Sequence, residues 1–158
     1  MDYAKINELA LQQENELRFN MFNHKTAWDL GCFMVDRIYK QGIELVVSIR
    51  ELNGYILFQH GTETTNLNNQ NWLRRKFNTV VLTERSSYGA WADANAKGET
   101  PAFHGLSDAD YAFCGGGFPI RLQSGEMVGV VLVSNLPHEE DHQFIIDSLR
   151  EWLQAEEK

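Results

Sequence analysis

Along residues 25–41, apolar side chains at Ala27, Leu30, Gly31, Met34, Val35 and Ile38 follow the i, i+3, i+4, i+7 recurrence that lines one face of a helix. Asn23 or His24 can cap that helix and Gly42 can end it. Residues 3–14 show a shorter version of the pattern at Ile6, Leu9 and Ala10, which predicts a peripheral N-terminal helix within residues 1–18. Residues 43–49 and 55–59 change character, being rich in Val, Ile and aromatic residues. Asn53-Gly54 between them is a strong hairpin signal, so two antiparallel strands are expected.

Residues 61–70 are polar and predict a loop. A helix follows over 71–82, where Leu73, Phe77, Val80 and Val81 keep helical spacing, and another over 86–96 with Tyr88, Trp91 and Ala92 on one face. Residues 97–110 have no periodicity and contain Gly98, Pro101 and Gly105, the mark of a long loop. Short strands are expected at 111–114, 118–122 and 127–134, the first broken from the second by Gly115-Gly116-Gly117. A final helix starts near Pro137, with His142, Ile145, Ile146, Leu149, Trp152 and Leu153 as its apolar stripe. Strand pairs separated by helices predict an α+β fold with an antiparallel sheet in one domain over residues 1–158.

Composition narrows the function classes. The chain has 158 residues, 43% hydrophobic and 23% charged, with a net charge of -8, so a general nucleic-acid binder is not expected. No stretch approaches the roughly 20 apolar residues of a membrane span. Asp2, Lys5, Glu8 and Glu14 are unlike a signal peptide, and the expectation is a cytosolic chain without membrane or nucleic-acid partners. Cys32 and Cys114 stand far apart in apolar surroundings, which predicts buried free thiols rather than a disulfide.

Several groups could carry chemistry. His138-Glu139-Glu140-Asp141-His142 matches H-E-x-x-H, the spacing that sets two zinc-binding imidazoles one turn apart with a glutamate base. The acidic residues also suit the positive end of a helix dipole with no metal, and His142 falls on the apolar stripe as a hydrogen-bonded core histidine. Gly116 and Gly117 could offer backbone N–H groups to an anion, or could simply form a bend. Arg74-Arg75-Lys76 is the densest basic run, suited to the carboxylates of an anionic ligand or to a solvated helix face. His104, in the long loop, is a candidate axial ligand or acid/base group.

Taken together, Gly115-Gly116-Gly117-Phe118-Pro119-Ile120, Gly129-Val130-Val131-Leu132-Val133-Ser134 and Leu136-Pro137-His138-Glu139-Glu140-Asp141-His142 resemble the haem-degrading HbpS/GlcG-like family. Phe22-Asn23-His24-Lys25-Thr26-Ala27-Trp28 and Trp72-Leu73-Arg74-Arg75-Lys76 resemble its UPF0303 branch. The resemblance implies a profilin- or PAS-like three-layer α/β/α sandwich around a five-stranded antiparallel sheet, a homo-oligomer, and in some relatives haem or a related tetrapyrrole. The wider family commonly ends its last strand in Ser-Gly, where this chain has Ser134-Asn135. Three readings stand at this point. They are a binding module for an anionic planar ligand such as haem, using Arg74, Arg75, Lys76, His104, Gly116 and Gly117; an oligomeric adaptor; and a metal-dependent hydrolase using His138, Glu139 and His142.

Overall fold

Side-chain caps fix where the helices begin. In the computed structural model, which describes residues 1–156, Asn23 Oδ1 accepts from Thr26 N at 2.8 Å while Thr26 Oγ1 accepts from Asn23 N at 3.2 Å. This reciprocal pair starts α2 (His24–Gln41), and Gly42 closes it in the left-handed conformation. α1 (Tyr3–Glu16) starts at Asp2, whose carboxylate accepts from Lys5 N. Asn66 and Asn69 form a second reciprocal cap that starts α3 (Leu67–Thr83) four residues before the predicted helix at residue 71. The run of Asn and Gln there has low helix propensity and reads as loop, but its side chains satisfy the first-turn backbone groups instead of breaking them. Ser86 caps α4 (Ser87–Ala96), and α5 spans His138–Glu156.

Four strands form where five were expected. β1 (Val46–Glu51) and β2 (Ile56–Gly61) make the predicted hairpin; β3 (Gly117–Arg121) and β4 (Met127–Ser134) make the second. The sheet order is β2-β1-β4-β3 with every neighbouring pair antiparallel. Residues 111–114, expected as a strand, lie along α3 instead. Ala112 N donates to Arg75 O at 3.2 Å and Ala112 O accepts from Thr79 Oγ1 at 2.9 Å, so a helix meets the backbone needs that a sheet edge would otherwise meet.

Alternation along β1 and β4 divides the sheet into two faces. Val47, Ile49, Val131 and Val133, with Phe118 and Ile120 of β3, pack on Leu30, Met34 and Ile38 of α2 and Ile145, Ile146 and Leu149 of α5. Gly31 permits the contact between α2 and β2, because a Cβ there would land in the ring of Phe58. On the other face, Val46, Val130 and Leu132 meet Leu73, Phe77 and Val80 of α3. The result is a three-layer α+β arrangement. α1, expected to be peripheral, lies against α4 and turns Gln13 and Glu14 inward, where Glu14 receives Arg85 and Ser86. Cys32 corrects another expectation: it is exposed, since it falls outside the row of buried positions on α2, while Cys114 is half-buried. No helix among the described residues is long and apolar enough to cross a membrane.

Candidate functional site

Lys76 follows the helical row of Leu73 and Phe77 closely enough to be drawn inside with them, and only 3% of its side chain is exposed. Its Nζ donates to Asp141 Oδ2 and to Val133 O, both at 3.0 Å. Asp141 Oδ1 accepts from Leu136 N at 3.1 Å, so one carboxylate ties α3 to the turn between β4 and α5. Burial pushes Asp141 up to about 6, against the opposing pull of Lys76. In the same turn Asn135 adopts φ 134°, a region that favours glycine. Its side chain holds the conformation, accepting from Asn69 Nδ2 at 3.4 Å and donating to Glu44 O at 3.2 Å. Lys76, Asp141, Asn135, Trp72, Cys114 and His138 line a cavity of about 430 Å³.

The two histidines of the His-Glu-Glu-Asp-His string are engaged separately. His138 Nδ1 accepts from Gly115 N at 3.0 Å, and its ring meets Trp91 edge-on at 4.6 Å. His142 is buried, pairs through Nε2 with Gln13 Oε1 at 2.7 Å and stacks on Tyr88 at 4.6 Å. Burial holds His138 below its ordinary value despite the charge of Glu139. Burial, aided by His138, pushes His142 down to about 4, so at neutral pH it is an uncharged core residue. Among the described residues no cluster of His, Cys, Asp or Glu is arranged to hold a metal ion.

Beside this polar turn, α3, α4 and the loop from residue 97 to 112 enclose a cleft of about 330 Å³ lined by Trp72, Arg75, Trp91, Tyr111 and Cys114. The Arg75 guanidinium lies 4.4 Å from the centre of the Trp72 ring, and its Nε donates to Asp108 O at 2.8 Å. Arg74 grips the same loop from outside through Asp110 Oδ1 at 3.1 Å and Ala109 O at 2.7 Å. Burial raises the Cys114 thiol above its ordinary value, which keeps it protonated and a poor nucleophile. A second cavity of about 430 Å³ shares Ala94, Glu99 and Phe113 with the cleft. His104 lines it, with its Nε2 2.7 Å from Glu99 Oε2, alongside Leu82, Leu106 and Arg85.

The structure therefore separates the residues that the sequence grouped. Arg75 reaches the aromatic cleft and His104 the adjoining cavity, whereas Arg74 is a loop clamp on the surface. Lys76 is neither solvated nor free, because Asp141 neutralises it within the protein. Gly117 N donates to Ser87 Oγ at 2.9 Å and Gly115 N to His138, so these two N–H groups are not presented to an anion. Gly116 is a bend at φ 123°, where a Cβ would fall on Lys76 Nζ and Val133 O. Trp91, Tyr111, Asn135 and Asp141 were not among the expected ligand-site residues. Only the i, i+3 pair Trp72 and Arg75 had a local signal.

Residues 22–150 match the family model described as haem degrading protein HbpS-like. A UPF0303 protein of Psychromonas ingrahamii is 39% identical over 150 residues, covering 94% of this chain and 93% of that one. A UPF0303 protein of Edwardsiella ictaluri is 35% identical, covering 89% and 90%. Among solved structures, the Ybr137w protein superposes with a TM-score of 0.89 at 24% identity, covering 96% of this chain and 90% of that one. A PduOC–haem complex superposes at 0.65 and 18% identity, covering 84% and 94%. At these identities the structural likenesses speak to the fold.

Proposed function

This chain belongs to the HbpS-like haem-degrading family, in its UPF0303 branch, and we propose that it binds a planar, anionic small molecule of the haem class in the aromatic cleft. One observation carries the reading: Trp72, Trp91 and Tyr111, from three different segments, line one cleft together with a guanidinium stacked on Trp72. Flat rings stack on such walls, and a guanidinium with free Nη donors meets a carboxylate. The cleft and the His104 cavity share a wall and together fall in the size range of small-ligand sites, roughly 300–1,000 Å³.

The residues present fit a tetrapyrrole. Trp72, Trp91 and Tyr111 would meet its faces, Arg75 a propionate, and His104 the iron, through the Nδ1 left free when Glu99 holds Nε2. Arg85 and Lys97 of the second cavity are already paired with Glu14 and Asp93, so Arg75 is the better placed cation. Bound haem would supply iron redox chemistry; the protein's part is to stack, orient and pair charge. The family model's own description, haem degrading protein, supports the same ligand class, and the solved PduOC–haem complex shares the fold. The open edge of β2 exposes Ile56, with Tyr55 exposed just before it, and no Asp, Glu, Lys or Arg lies between Tyr55 and Gly61, which supports pairing of copies into a homo-oligomer.

Hemin titration tests the reading. A saturable, red-shifted Soret band with quenching of tryptophan fluorescence is expected. Trp72→Ala and Arg75→Ala should each weaken binding by about tenfold, equivalent to about 1.4 kcal/mol. His104→Ala should lose the band shift while keeping the quenching. No saturable signal, or variants indistinguishable from the parent chain, would overturn the proposal; native mass spectrometry of the same samples reports subunit number.

A further inference from the structure

The long loop between α4 and β3 is held very differently in its two halves. Residues 108–112 are clamped to α3. Arg74 binds Asp110 Oδ1 and Ala109 O, Arg75 Nε donates to Asp108 O, and Asn78 Nδ2 donates to Asp110 O at 2.8 Å. Ala112 is bonded to the same helix through both its N–H and its C=O. Residues 99–106 have no comparable hold. Glu99 N donates to Ala94 O at 2.9 Å at the end of α4, and among the described residues every hydrogen bond of residues 100–106 stays within residues 99–106. Those bonds make a 3₁₀ turn, Pro101–His104, capped by the Thr100 side chain and closed by Gly105. A segment with its own internal turn and few bonds to its surroundings opens locally at low cost.

This segment lies over the two cavities. Its half-buried residues are Glu99, Pro101 and Leu106. Pro101 lines the aromatic cleft, Leu106 the His104 cavity, and Glu99 both. Ala94, Glu99 and Phe113 are shared by the two cavities and form the wall between them. A flat ligand that reaches Trp72 on one side and His104 on the other has to pass that wall. Ala94 is fixed in α4, and Phe113 directly follows the clamped Ala112. Glu99 is the part that can move, because its carboxylate pairs with His104 Nε2, at 2.7 Å, inside the same segment. Gly98 precedes it at φ 68°, and a Cβ there would meet nothing within 4 Å, so backbone conformation rather than packing calls for glycine.

We propose that residues 99–106 are a lid hinged at Gly98 and at the edge of the clamp, and that Glu99 is the gate it carries between the two cavities. Opening withdraws Glu99 from the wall and joins the aromatic cleft to the His104 cavity. Closing returns His104 to the ligand with its Glu99 partner. The inference rests on the reading of the cleft as a planar-ligand site and adds the route by which the ligand enters.

The test is residue-resolved amide hydrogen exchange, corrected for intrinsic rates, on the ligand-free parent chain and then with hemin. The amides of Phe103, Gly105 and Leu106 are bonded within the lid, and those of Asp110, Tyr111 and Ala112 within the clamped half. Without ligand the lid set should exchange about a hundredfold faster than the clamped set. Equal rates would overturn the proposal. Hemin should slow the lid set and leave the clamped set unchanged. Saturable hemin binding without protection of the lid would overturn the lid while the cleft reading stands. Fast lid exchange with no hemin binding would sink the cleft reading and still support the lid. Stopped-flow mixing tests the gate: Glu99→Ala should speed hemin association by about tenfold, because the wall no longer has to move aside. An unchanged association rate would remove Glu99 as the gate.

Discussion

The two faces of the sheet are built from the same strands but hold different kinds of interior. The face toward α2 and α5 is largely apolar, with Val47, Ile49, Phe118, Ile120, Val131 and Val133 meeting helices whose inward residues are mostly apolar, the uncharged His142 and the hydroxyl of Ser148 being exceptions on α5. The face toward α3 has a smaller apolar patch around Leu73, Phe77 and Val80, and it also buries Ser48, Arg50, Asn69, Lys76 and Asp141. The cleft and cavities argued for as sites are lined by residues of α3 or by the segments packed on it. A dry interior depends on area and shape alone, whereas a polar interior must satisfy each group by geometry. The first face stabilises the fold, and the second leaves polar groups positioned for a ligand.

That contrast can be broken at its strong side first. Phe118→Ala, at a fully buried position on the dry face, should cost about 3–5 kcal/mol by urea unfolding. A loss near 1 kcal/mol would mean that the dry face is not the main source of stability. On the polar face, Lys76→Met strands the Asp141 carboxylate and should cost about 3 kcal/mol near neutral pH, with much of that loss recovered when Asp141→Leu is added. Failure of the double variant to recover would assign the loss to packing around Lys76 rather than to its charge.

The pH dependence sharpens the same point. Asp141 is raised from 3.8 to about 6 in the folded protein, so between these values the folded state holds a proton that the unfolded chain has released. The stability contributed by this group is fully present below the lower value and is lost as pH rises through about 6. Asp141→Asn should remove that part of the pH profile. Lys76→Met should push Asp141 higher still, so the cost of that variant should shrink on moving from neutral pH to about pH 5. The smallest effect is expected at Asn135. Asn135→Ala should cost about 1–3 kcal/mol, because alanine tolerates φ 134° poorly and loses two hydrogen bonds. Asn135→Gly should cost less, since glycine relieves the backbone; equal losses would show that the hydrogen bonds alone matter.

Much of the dry face was legible in the sequence. The stripe Ala27, Leu30, Met34, Ile38 and the stripe His142, Ile145, Ile146, Leu149 are buried as their spacing predicts. The hairpin at Asn53-Gly54, the strand over 127–134 and the histidine at the core position 142 were legible too. The polar face was far less so. Residues 111–114 have the composition of a strand, and nothing local reveals that α3 would supply their hydrogen bonds. Lys76 sits in a basic run that resembles a solvated face; its burial depends on Asp141, 65 residues away.

The sequence by itself determined the α+β class, the helices and their inward stripes, the two hairpins and the family. These follow from periodicity and capping, which act over a few residues and are written along the chain. The tertiary structure alone decided that Arg75 joins three aromatic rings, that Lys76 is neutralised, and that Arg50 is buried against Ser48 and Phe77. A charge or hydrogen bond is settled by whatever lies within about 4 Å of it in space, and the distance between partners along the chain does not constrain that.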